Sequence, residues 1–137
     1  MRTSAPFLTA GAFLLTAAGC GGGSERSAGG TLPDCLHAVG TTVEFDFPAP
    51  EGTVFDERAR ELGSTVVEGY VPGELEAVRD YYERELPKSG YELLEGDSEE
   101  HEAETNFSGH GVIGHLKLHD IDGCDGALTI AVALAGK

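Results

Sequence analysis

The feature that most constrains this chain is the stretch LLTAAGCGGGS, Leu14 to Ser24. An apolar run, Ala5 to Ala18, carries no acidic residue and follows a positive start at Met1 and Arg2. It ends in small residues, meets one cysteine, and gives way at once to glycines. A charged n-region, an apolar h-region and a small-residue cleavage site are the layout of a secretory signal. The run is too short to cross a bilayer as a helix, which takes about 20 apolar residues. Residues 1–19 are therefore expected to be removed. What remains to fold is one domain's worth of the 137 residues.

Ala17-Ala18-Gly19-Cys20 resembles the lipobox of bacterial lipoproteins. The third residue before the cysteine is usually Leu in that family and is Ala17 here. The resemblance implies that a diacylglyceryl group is added to the Cys20 sulfur and that cleavage leaves Cys20 as the new N-terminus. It implies an extracytoplasmic domain held to the cell membrane by lipid. CGGGSERSAGG, residues 20–30, then reads as a flexible tether, because Gly and Ser supply reach and no core-forming side chain. The folded domain is expected over residues 31–137.

With Cys20 assigned to lipid by that resemblance, two of the three cysteines remain, Cys35 and Cys124. An oxidising compartment favours a disulfide between them. No CxxC spacing points to a metal or redox thiol instead.

The formal charge is −15. Arg2 is the sole charged residue in the signal, so its removal takes the charge to −16. Such a field repels nucleic acid and anionic head groups. No nucleic-acid partner is expected; the membrane is reached through lipid, and a further partner is an envelope protein or a small molecule.

Period-two alternation marks most of the domain as β. Val43, Phe45 and Phe47 share one face of Thr42–Phe47. Ala103, Thr105 and Phe107 do so in 102–108, Val112, Gly114, Leu116 and Leu118 in 112–119, and Leu128, Ile130, Val132 and Leu134 in 127–134. In that last segment Ala127, Thr129, Ala131 and Ala133 face outward. Residues 53–62 read either as a helix capped by Asp56 and Gly63 or as a strand turning at Gly63-Ser64. The β-prone run Thr65–Val71 close behind favours a hairpin. GELEAVRDYYEREL, 73–86, is helical, with Leu75, Val78, Tyr82 and Leu86 as its apolar stripe and Gly90 as its stop. A short strand at Tyr91–Glu95 and an acidic turn at 96–100 follow. One amphipathic helix on an antiparallel sheet of five to six strands, an α+β fold, satisfies this order, with the last four strands as a meander.

Pro72-Gly73, the pair Tyr81-Tyr82, Leu86-Pro87 and Ser89-Gly90-Tyr91 together resemble the small exported α+β domains of actinobacterial-type envelope lipoproteins. That resemblance covers roughly residues 65–134. It implies fold and location and carries no catalytic residue.

Candidate chemistry is sparse. His110, His115 and His119 are the candidate metal ligands, with acidic residues near His101. On one strand, however, positions i and i+4 lie about 13 Å apart, too far to share an ion held by bonds of about 2 Å. Lys117 between His115 and His119 also repels a cation. Asp120–Gly126, DIDGCDG, fails the EF-hand pattern at Cys124 and Asp125 and reads as an acidic turn stapled by Cys124. Phe107–Gly114, FSGHGVIG, is followed by a strand, so it is a turn and not a phosphate cradle. No GxSxG occurs. No catalytic residue and no cofactor is assigned. The expected activity is non-enzymatic binding, with a pocket between helix and sheet near Tyr81, Tyr82 and Phe107. A metal-binding envelope protein is the alternative.

Overall fold

The computed structural model describes residues 27–36 and 42–137. The signal, Cys20 and the tether up to residue 26 lie outside the described residues. The chain runs β1 (Val54–Glu61), β2 (Ser64–Pro72), α1 (Leu75–Lys88), β3 (Glu92–Ser98), β4 (Glu102–Gly109), β5 (Val112–Asp120) and β6 (Ala127–Gly136). This is the expected α+β fold, one helix on an open antiparallel sheet of six strands. No helix among the described residues is long and apolar enough to cross a membrane.

Residues 53–62 become a strand despite good helix formers in DERAREL. Leu62 and Gly63 take positive φ, +46° and +84°, and Glu61 pairs with Ser64. That is the two-residue, mirror-type turn whose twist matches a hairpin. The turn falls at Leu62-Gly63, one residue before the expected position.

α1 buries Val78, Tyr82 and Leu86, four apart on one face. It ends as its sequence directs. Gly90 has φ +88°, the Gly90 amide donates to the Pro87 carbonyl at 3.1 Å, and the Tyr91 amide donates to the Leu86 carbonyl at 3.0 Å. These two bonds form a Schellman motif, which satisfies carbonyls that the helix end leaves free.

The strand order is β1-β2-β6-β5-β4-β3, with antiparallel neighbours throughout. The meander of the last four strands holds. β2 docks beside β6, and α1 carries the chain from there across one face to the far edge, β3. The core lies between. Val67, Leu116, Leu118, Ile130 and Val132 meet Val78, Tyr82 and Leu86, all essentially fully buried, and side chains of this kind contribute about 1.5–3 kcal/mol each. Phe107 packs over Gly114, where a Cβ would come within 2.1 Å of the ring.

Three local expectations are corrected. Thr42–Phe47 is no strand; the Val43 amide donates to the Phe55 carbonyl, and no strand of the described residues includes the segment. Its alternation serves packing instead. Phe47 contacts Phe107, Tyr91 and Tyr82 at ring distances of 5.5, 5.9 and 6.0 Å. The bulge between Phe55 and Glu57 breaks the regular edge that a seventh strand would need. β3 runs on to Ser98, through most of the expected acidic turn, because Gly96, Asp97 and Ser98 pair with β4. Ala127, expected outward, is buried where it faces Pro72.

A disulfide joins Cys35 and Cys124, 89 positions apart. It ties the start of the domain to the β5–β6 loop. Contacts with the domain include Ala28, Gly29 and Gly30, inside the segment read as tether. Ala28 bridges to Gly73, the Gly29 amide donates to the Pro72 carbonyl, and the Gly30 amide donates to the Glu51 carbonyl.

Candidate functional site

One sheet face is covered by α1. Alternation sends every second side chain to the other face, and no element of the described residues covers it. Register then decides what meets there. One row across the sheet reads Glu57, Glu68, Ala131, Lys117, Glu104 and Asp97, from β1 to β3. The next reads Val54, Tyr70, Thr129, His119 and Glu102. β6 contributes the small residues Thr129, Ala131 and Ala133, whereas β2 and β5 beside it carry taller ones. The result is a concavity of about 360 Å³ along β6, lined by Asp56, Glu57, Glu68 and Tyr70 on one side and Lys117 and His119 on the other. Thr129 and Ala131 form its floor.

The two walls differ electrostatically. The Lys117 ammonium lies 2.9 Å from Glu102 and 3.1 Å from Glu104. Hydrogen bonds to Glu102 first, and then Glu104, hold its pKa above the ordinary lysine value, and Lys117 in turn holds Glu102 below the usual carboxylate range. The cation on this wall is therefore already neutralised from the β4 side. Asn106 donates through Nδ2 to the Glu95 carbonyl. Its Oδ1 therefore accepts, and His115, 2.9 Å away, carries a proton on Nδ1. His119 points Nδ1 at the Asp120 carbonyl. On the opposite wall, Asp56, Glu57 and Glu68 make no ion pair among the described residues.

His115 and His119 sit where the sequence placed them, flanking Lys117 on one strand face. His110 does not join them. It occupies the β4–β5 turn with φ +49°, donates from Nε2 to the Ser89 carbonyl at 2.7 Å and packs on Tyr91. It links that turn to the end of α1. No group of three or more His, Cys, Asp or Glu among the described residues is placed to hold a metal ion. DIDGCDG is a turn with positive φ at Gly123 and Gly126.

Tyr82 and Phe107 do not line a pocket between helix and sheet. Both are 0% exposed and fill the core. The Tyr82 hydroxyl has no hydrogen-bond partner among the described residues, and burial pushes its pKa far up. Tyr81 alone reaches a surface depression, shared with Asp46, Tyr91 and His110. Sequence reasoning missed Asp56, Glu57, Glu68 and Tyr70. The small outward residues of β6 were the available signal, but which strand flanks β6 was not.

No family model matches the chain, and comparison with curated proteins and with solved structures returns no match.

Proposed function

We propose that this is an exported lipoprotein, cleaved before Cys20 and anchored through lipid on that residue, whose domain is a non-enzymatic binding module. The observation that carries the binding half is the uncovered, concave sheet face, built from paired strands. Ala17-Ala18-Gly19-Cys20 supports the anchor.

The first described residues, Ser27 to Gly30, dock where β2 ends. Six residues, 21–26, separate them from Cys20, and six residues span at most about 20 Å. In this reading the Ser27 end of the sheet sits close to the bilayer. The Leu62-Gly63 and His110-Gly111 turns, at the opposite ends of those strands, face away. The chain's strong negative charge keeps the domain off anionic head groups.

Fractionation tests the anchor. Wild-type protein should sediment with membranes and incorporate a labelled fatty acid. Cys20→Ala should do neither and should appear in the soluble exported fraction. Retention of Cys20→Ala in the membrane fraction would overturn the anchor.

A further inference from the structure

The open face carries an arrangement of charge that the fold does not need. Register places Glu57 directly opposite Glu68, and like charges opposed across two strands are destabilising. The β1 bulge adds Asp56 to the same concavity. The nearest cation on the face, Lys117, stands across Ala131 and is already held by Glu102 and Glu104. Beside the three carboxylates lie the Tyr70 ring and the low floor of Ala131 and Thr129. A concavity of about 360 Å³ is on the scale of sites that take organic groups.

We infer that the open sheet face docks an extended, lysine- or arginine-bearing segment of a partner protein, with one cationic head group seated among Asp56, Glu57 and Glu68. This rests on the reading of that face as the binding surface and names its partner's chemistry. The aliphatic stem of the side chain lies over Ala131 and against Tyr70, as long cationic side chains cover apolar surface while their heads stay polar. The head supplies the counter-charge that Glu57 and Glu68 lack, and a neighbouring aromatic ring favours a cation further. A second copy of this chain is a poor occupant. Each copy cleaved before Cys20 carries −16, so two copies repel each other.

The test uses the full chain in detergent and a fluorescent twelve-residue peptide alternating Lys and Ala, with a Glu/Ala peptide as control. Wild type should bind the basic peptide and not the acidic one. The pair Glu57→Gln/Glu68→Gln should weaken binding at least tenfold. The pair Glu92→Gln/Glu95→Gln, which removes the same charge from the far-edge strand β3, should change it less than threefold. Ala131→Trp, which fills the floor and leaves every carboxylate, should also weaken binding at least tenfold. Equal losses from the two glutamine pairs would show bulk attraction and overturn the proposal. So would wild-type affinity no better than millimolar, or calcium binding at this face that the peptide cannot displace. None of these results bears on the fractionation of Cys20→Ala, so the docking proposal can fail while the anchored reading stands.

Discussion

His101 shows what a single side chain contributes on a surface this acidic. Its Nδ1 lies 3.0 Å from Asp120. The hydrogen bond to Asp120, and after it the charge of Glu100, raises the pKa above the ordinary histidine value. A raised pKa means that the folded state binds the proton more tightly than the unfolded one. The contribution is full below the unfolded pKa of about 6.5 and is lost as pH rises through the folded value. His101→Gln should therefore lower the melting temperature at pH 5.5 and leave it unchanged at pH 9. Equal melting differences at the two pH values would remove the Asp120 contact as the cause. The pairing of His101 with Asp120 joins the start of β4 to the end of β5. No local pattern announces it, since the two residues meet only when those strands are in register.

Among the elements, the β1–β2 hairpin holds the clearest tension. Its turn puts Leu62, wholly exposed, at φ +46°, a conformation that Asn or Gly adopts far more readily than a branched side chain. Leu62→Asn should stabilise the protein by about 0.5–1 kcal/mol, read from the midpoint of urea unfolding. No gain would mean that Leu62 makes a compensating contact in solution. This hairpin was also the least legible element in the sequence. Helix propensity in DERAREL and strand propensity in Thr65–Val71 pointed different ways, and pairing decided between them. α1 was legible except at its ends: read over 73–86, it spans Leu75–Lys88 and runs through Pro87. Its stripe and Gly90 are local signals that need no distant partner, as helix signals are.

For the whole molecule, the disulfide is the main long-range constraint. Linking positions 89 apart removes conformations from the unfolded chain worth about 4–5 kcal/mol, a large share of the net stability of a small domain. Cys35→Ala/Cys124→Ala should lower the unfolding free energy by about that amount, measured by urea titration of the oxidised wild type against the variant. A change below about 1 kcal/mol would show that the unfolded chain is already restricted without the staple and would overturn the entropic account.

The candidate site was half legible. His115, Lys117 and His119 share a face by simple alternation along β5, and the small residues of β6 were visible in the same way. The wall of Asp56, Glu57 and Glu68 was not. It needed β1 to be a strand, a bulge to shift its register, and β2 to lie against a strand that follows it only after α1, β3, β4 and β5. By itself, then, the sequence determined the helix, the inward faces of the later strands, the meander and the β5 and β6 share of the open face, all of which follow from local periodicity and turn chemistry. The tertiary structure alone decided that Thr42–Phe47 packs without pairing, that β2 seats beside β6, and that two glutamates face each other with no cation between them. Those outcomes depend on which distant backbones exchange hydrogen bonds, and period-two patterning leaves that choice open.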